Sequence, residues 1–108
     1  IMSFDIKNTP LQDVKEFAYV DKFMKEHKPD VVIHLAANPD IPTSVNEPHF
    51  DSVLNTAGTI NMLEASRKHN IKLFLFSSTA QVYGEPINKK MDENHPLNPT
   101  SPYGISKL

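Results

Sequence analysis

The sequence predicts an α/β fold built on a parallel sheet, and three observations carry that prediction. Short apolar runs alternate with amphipathic stretches in the order strand, helix, strand, helix, strand, helix start, the pattern of β-α-β units with right-handed crossovers. The run Val31-Val32-Ile33-His34-Leu35 is nearly unbroken in its apolar character, as in a strand buried on both faces. Chemistry-bearing residues gather at predicted strand ends: Asp5, Ala36-Ala37 and Ser77-Ser78-Thr79. In open parallel sheets, ligands bind beyond those carboxyl ends.

Ile1–Phe4 reads as a first short strand. Asn8-Thr9-Pro10 then gives a helix start, with proline in the first turn. Leu11, Val14, Phe17 and Ala18 recur at helical spacing, and the helix is expected to run to about His27 before Lys28-Pro29-Asp30 breaks it. The second strand is Val31–Leu35, followed by Ala36-Ala37 and a loop holding Pro39 and Pro42. A second helix is expected from Glu47-Pro48 to about Asn70, with an inward stripe of Phe50, Val53, Ala57, Ile60 and Leu63. Lys72–Ser77 is the third strand. Val82-Tyr83-Gly84 opens a polar, proline-rich loop, and Ser101-Pro102 caps a third helix carrying Tyr103 and Lys107.

The chain has 108 residues, 39% hydrophobic and 22% charged, a globular composition. Net charge is −2 with histidine neutral, and no basic cluster stands out. These features argue against nucleic acid or an anionic membrane surface as partner. There are no cysteines, which excludes disulfides, thiolate metal sites and thiol nucleophiles. The apolar runs are of strand length, short of the roughly 20 residues that span a bilayer. No basic segment precedes an apolar one at the N-terminus, and the expected location is cytoplasmic. His27, His49, His69 and His95 show no paired-ligand spacing, so no metal is expected. His34, inside an apolar strand, reads as a core histidine.

Tyr103 and Lys107 stand four apart and share one helix face. A lysine charge beside a phenol prepares it to act as general base at an alcohol hydroxyl. A hydroxyl residue at the strand end can hold the same oxygen. Each residue also has a plainer reading. Tyr103 could be a turn tyrosine and Lys107 a solvated helix residue. Ser77 and Ser78 could satisfy backbone groups at a strand end, and Asp5 could cap a turn. Asn55 could be exposed, or could make a structural hydrogen bond. Gly58 weakens its helix, which implies a close packing partner.

The pieces Asp5-Ile6, Pro29–Ala37, Ser44-Val45 before Pro48, Asn55–Ala65, Ser77–Gly84 and Ser101–Lys107 occur together and in order. In this the chain resembles the extended short-chain dehydrogenase/reductase family, specifically its nucleotide-sugar epimerases and dehydratases. The resemblance implies a doubly wound Rossmann-type fold, of which residues 1–108 would be the central part of an NAD-binding domain. The first β-α-β unit, with its Gly-rich fingerprint, and a C-terminal substrate domain would lie outside. It also implies tightly held NAD. Asp5 and Ile6 would contact the adenine; Leu35, Ala36, Ala37, Asn55 and Ser77 would line the cofactor. Lys107 would bind the nicotinamide ribose and favour the Tyr103 phenolate. Tyr103 would take the proton of the sugar C4 hydroxyl, with Thr79 bonded to the same oxygen and Ser78 beside the substrate.

Dehydratases of this family are similar to one another in keeping an acidic residue two positions after the Thr79 equivalent. Here Gln81 stands there, and an amide cannot exchange a proton near neutral pH. The resemblance therefore points to an epimerase acting at C4 of a UDP-hexose, a homodimer in its full form. A 4,6-dehydratase or reductase of the same family, a steroid-type oxidoreductase with like catalytic residues, and a non-catalytic cofactor-binding sensor or inactive fragment are the competing readings.

Overall fold

The computed structural model describes residues 1–9, 12–87 and 90–108. Along the chain run α1 (Phe17–His27), β1 (Val31–His34), α2 (Ile41–Asn46), α3 (Pro48–Asp51), a π-helical turn (Ser52–Ala57), α4 (Gly58–Lys68), β2 (Leu73–Phe76), a 3-10 turn (Ala80–Tyr83) and α5 (Pro102–Ser106). β1 and β2 pair in parallel, Val31 opposite Leu73 and His34 opposite Phe76. The parallel α/β architecture predicted from the alternation is therefore present.

α1 and α4 pack on each other, and α4 lies against β1. Their contact is apolar: Val14, Val20, Met24, Val32, Met62 and Ala65 form one buried cluster, with Phe4, Leu54, Ile71 and Phe74 against its edge. Gly58 permits this approach, since a Cβ there would stand 2.9 Å from the Val14 Cγ2 atom. The packing partner expected for Gly58 is thus Val14.

Several expectations are corrected. Ile1–Phe4 forms no strand. A strand needs a neighbour to take its backbone groups, and the sheet among the described residues is β1 and β2 alone. The chain instead turns at Asp5–Asn8, where the Asn8 N–H donates to the Asp5 carbonyl at 2.9 Å, and Phe4 sets its ring edge-on to Phe23, centroids 4.9 Å apart. The first helix begins at Phe17. Before it, the Asp13 carboxylate accepts the Lys15 N–H at 2.9 Å, a local bond that competes with the helix ladder. The inward residues of α1 are Val20 and Met24, while Phe17 and Ala18 face outward. Pro10 and Leu11 lie outside the described residues. The helix ends where expected, with Lys28 in the left-handed region (φ 43°) donating its N–H to the Met24 carbonyl.

β1 is covered on one face only. Val32 and His34 are buried, whereas Val31 and Ile33 are exposed, as is Leu35 beyond the strand end. Both α1 and α4 sit on the Val32 side, and Leu73 and Leu75 continue the bare face on β2.

The stretch after Ala37, expected as a loop holding Pro39 and Pro42, contains α2. Its signal was in the sequence: Asp40 caps the helix through a 2.9 Å bond from the Thr43 N–H, and Pro42 sits in the first turn. The long second helix exists as a continuous helical path, but its inward stripe is rotated. Phe50, Ile60 and Leu63 are exposed, and Asp51, Asn55, Gly58, Met62, Ala65 and Ser66 face inward. The inner face near α3 is polar and hydrogen-bonded, so counting apolar residues picked the wrong side.

Candidate active site

The site is built where α5 meets the ends of β1 and β2. Ser101 caps α5 by accepting the Gly104 N–H at 3.1 Å, and Pro102 occupies the first turn, as the sequence predicted. α5 packs against the 3-10 turn. Gly104 makes that possible: a Cβ there would lie 2.8 Å from the Gln81 carbonyl oxygen. Thr79 caps the same 3-10 turn, its Oγ1 accepting the Gln81 N–H at 3.3 Å. The packing of the two short helices thus sets the Tyr103 helix beside the Thr79 segment.

Lys107 closes α5 and is 4% exposed. Its Nζ donates to the Ser77 carbonyl at 3.0 Å and stands 4.7 Å from the centre of the Phe76 ring, a cation–π contact. The Ser78 hydroxyl donates to the Lys107 carbonyl at 2.7 Å. The end of β2 therefore grips this lysine at both ends. Burial holds its ammonium below the usual lysine range, and the Asp51 charge acts in the opposite direction.

A polar hub sits beneath it. Asn55, 1% exposed, accepts the Asn38 N–H on Oδ1 at 2.7 Å. Its Nδ2 shares its two hydrogens among Asp51 Oδ1 at 2.8 Å, Ser106 Oγ at 3.1 Å and the Asn38 carbonyl at 3.2 Å. One amide so ties the loop after β1 to α5. Ser106 passes its own hydroxyl to the Tyr103 carbonyl at 2.9 Å. The exposed reading of Asn55 is overturned.

His34 extends the hub. The Thr59 hydroxyl donates to the Asn55 carbonyl at 2.6 Å, so its oxygen must accept from His34 Nε2, 3.0 Å away. That fixes the Nε2–H tautomer. Burial first, and the Lys107 charge second, push the imidazole down to about 4. His34 is the satisfied core histidine that its place in the strand implied. Tyr83 sets its ring edge-on to buried His95, centroids 5.5 Å apart, a packing role.

Residues 7–108 match the family described as GDP-mannose 4,6 dehydratase. The chain belongs to that family, within the NAD-dependent epimerases and dehydratases. It is 40% identical over 98 residues to a UDP-glucose 4-epimerase of Lacticaseibacillus casei, covering 89% of this chain and 29% of that protein. The crystal structure of the Thermus thermophilus UDP-glucose 4-epimerase in complex with NAD superposes with a TM-score of 0.84 at 35% identity, over 88% of this chain and 31% of that one. The Thermotoga maritima UDP-glucose 4-epimerase with UDP-glucose gives 0.84 at 36% identity, over 88% and 31%. The chain thus spans under a third of the length of these relatives. Their fold over the shared region is the Rossmann-type α/β architecture found here.

Within this family member, Tyr103, Lys107, Asn55, Ser77, Ser78 and Thr79 are gathered around α5 and the end of β2. Ala36 and Ala37 are half-buried beyond β1, and Leu35 is exposed. Asp5 and Ile6 lie in an exposed turn, where the Asp5 carboxylate accepts the Lys7 N–H at 2.9 Å. The sequence reading missed Asp51, Asn38 and Ser106. A signal for Asp51 was available, because Asp51 and Asn55 are four apart and share a helix face. Among the described residues, no group of three or more acidic, histidine or cysteine side chains could hold a metal ion, and no helix is long and apolar enough to cross a membrane.

Proposed function

We propose that the protein acts as a nucleotide-sugar epimerase, inverting C4 of a UDP-hexose with NAD as its cofactor. The observation that carries this reading is the buried Lys107 ammonium, fixed at the end of β2 and one helical turn beyond Tyr103. The names of the relatives support the substrate class and the cofactor.

The residues fit the cofactor chemically. Lys107 uses one N–H on the Ser77 carbonyl, which leaves two for ribose hydroxyls. The half-buried alanines beyond β1 leave room for a close approach. When bound, NAD supplies a hydride acceptor that later returns the hydride to the sugar. Tyr103 takes and returns the proton of the sugar C4 hydroxyl. Thr79 holds the same oxygen. Lys107 keeps positive charge on the Tyr103 face of α5, and Asn55 keeps α5 in register with the loop after β1. The exposed Ile105 on α5 supports a homodimer through that helix, and we place the protein in the cytoplasm.

A second reading, a nucleotide-sugar 4,6-dehydratase, is favoured by the family description. Gln81 opposes it, since elimination needs an acid or base that an amide cannot supply. The test uses the full-length protein carrying this chain. Its cofactor is released and identified, and UDP-glucose and UDP-galactose are offered. We expect NAD and interconversion, with Tyr103→Phe lowering the rate by about 10²–10⁴-fold. Loss of water to give a 4-keto-6-deoxy sugar would establish the dehydratase instead, and absence of any nicotinamide cofactor would overturn both readings.

A further inference from the structure

His95 is 8% exposed, and the chemistry proposed for Tyr103, Thr79 and Lys107 makes no use of it. It lies on the loop that runs from the 3-10 turn capped by Thr79 to the helix α5 that carries Tyr103. Its Nε2 accepts the Ile87 N–H at 3.2 Å, and its Nδ1 donates to the Pro96 carbonyl at 2.9 Å. Ile87 belongs to the outgoing limb of the loop and Pro96 to the returning limb. We propose that His95 is a positioning residue for this loop, a clip that joins the two limbs while its ring is neutral and releases the outgoing limb when the ring is protonated. The inference rests on the epimerase reading for its consequence in turnover, though not for its physical content.

The tautomer follows from donors and acceptors. A backbone N–H only donates, so Nε2 must be unprotonated to meet Ile87. A carbonyl only accepts, so Nδ1 must carry the proton that goes to Pro96. The neutral ring satisfies both groups in that one tautomer. An imidazolium has an N–H on both nitrogens. It keeps the Pro96 bond but turns a donor toward the Ile87 N–H, and the bond to the outgoing limb is lost. Histidine is the side chain that changes charge most readily near neutral pH. The groups facing the ring are Tyr83, set edge-on with centroids 5.5 Å apart, and Lys90 and Asp92, which line the same cleft. The Asp92 carboxylate accepts the Asn94 N–H at 2.9 Å, and the Asp92 carbonyl accepts the His95 N–H at 3.1 Å.

The neck of the loop carries such a change to the site. The Asn98 N–H donates to the Val82 carbonyl at 3.0 Å, joining the returning limb to the 3-10 turn. Gly84 opens the outgoing limb at φ 67°, a conformation that glycine adopts freely, and a Cβ there would collide with the Asn98 carbonyl. Next along the chain, Pro99 closes on Gly104 of α5, where a Cβ would stand 3.0 Å from the proline ring. The Thr79 segment and the Tyr103 helix therefore share this neck, and His95 holds the limbs together just beyond it.

One titration and two substitutions test the clip in the full-length protein carrying this chain. His95→Gln places an amide oxygen where Nε2 accepts, and does not titrate. His95→Asn places an amide nitrogen where Nδ1 donates, and leaves Ile87 without its acceptor, as protonation would. With ¹⁵N-labelled histidine and isoleucine, the wild-type ring is expected to show the Nδ1–H tautomer by NMR. On acidification the Ile87 amide resonance should move with the same midpoint as the ring, and kcat should fall with that midpoint. His95→Gln should hold kcat within about threefold of wild type and lose that limb of the profile, while His95→Asn should lower kcat about tenfold at every pH, the population shift that one lost hydrogen bond allows. An Nε2–H tautomer, or an Ile87 amide that does not follow the ring, overturns the clip. An acid limb in His95→Gln equal to that of wild type overturns its consequence in turnover. The wild-type resonances need no variant, so they decide the clip even where a substituted protein does not fold. Should the wild-type protein interconvert no UDP-sugar, the epimerase reading falls, yet the same resonances still decide the inference.

Discussion

The two halves of this molecule are held together by different chemistry. Between α1, α4 and β1, the buried hydrophobic residues are Val14, Val20, Met24, Val32, Met62 and Ala65, and the buried Ser66 hydroxyl bonds within its own helix, to the Met62 carbonyl. Between α3, the π-helical turn, α5 and the strand ends, the buried residues are Asp51, Asn55, Ser101 and Lys107, with His34 joining them from β1. The first region is non-directional and tolerates repacking. The second is a set of directed bonds, so a change at one residue is felt by the others. The lesson is that packing carries the scaffold while the site side is specified by hydrogen bonds.

That contrast can be broken most directly by exchanging one residue on each side. Asn55→Leu removes the acceptor of the Asn38 N–H and the donor to Asp51 and Ser106. Leaving two buried groups unmatched, one of them charged, should cost about 4 kcal/mol. Met62→Ala opens a cavity in the apolar cluster and should cost about 3 kcal/mol. Urea denaturation of the full-length protein measures both. The separating readout is turnover: Met62→Ala should leave kcat near wild type, because Met62 belongs to the apolar cluster. Equal loss of kcat in the two variants would mean that the two regions are one unit.

A smaller effect comes from His34, which touches both regions: it packs on β1 beside the apolar cluster and bonds Thr59 in the hub. Its folded pKa of about 4 lies below the ordinary 6.5. Between those values the unfolded chain binds a proton that the folded chain does not, so stability must fall as pH drops from about 6.5 toward 4. The loss should be on the order of 3 kcal/mol. The carboxylates Asp21, Asp30, Asp40 and Glu64 are depressed by their partners, so their contributions are lost at the lower edge of this window and below it. His34→Gln can still donate to Thr59 and does not titrate. Its stability, followed by denaturation at each pH, should be flat from 6.5 to 4.5. A slope equal to that of wild type would place the proton elsewhere.

The legibility of the sequence follows the same division. The parallel α/β order, the Val31 and Leu73 strands, the end of α1 and the cap of α5 were readable, because each rests on local periodicity or on a cap. The apolar phase of the long helix was misread because its inner face carries Asp51, Asn55 and Ser66, while Phe50, Ile60 and Leu63 face out. Pattern counting assumes that the inner face is the apolar one, which fails where a site is built. The Ile1–Phe4 strand was misplaced for another reason: strand propensity is a preference, and pairing decides. The Tyr103–Lys107 spacing and Thr79 could be seen in the sequence, whereas the link from Asp51 through Asn55 to Ser106 could not, because nothing local links α3 to α5.

The smallest effect sharpens the comparison at its local end. Ser101 is 6% exposed and caps α5 through one 3.1 Å bond to the Gly104 N–H. Ser101→Ala should cost about 1 kcal/mol, and Ser101→Gly only a few tenths, since glycine is tolerated at that cap. If the cap merely ends a helix, both variants should retain the wild-type Lys107 titration, because the Ser77 carbonyl and the Phe76 ring still hold the ammonium. If α5 is so short that its cap sets the lysine's place, Ser101→Ala should move that titration while Ser101→Gly does not. Denaturation with ¹³Cε-lysine NMR on the same samples separates the two. The second outcome would make the cap a member of the hub, and would show that the directed network extends to the first residue of the helix bearing Tyr103 and Lys107.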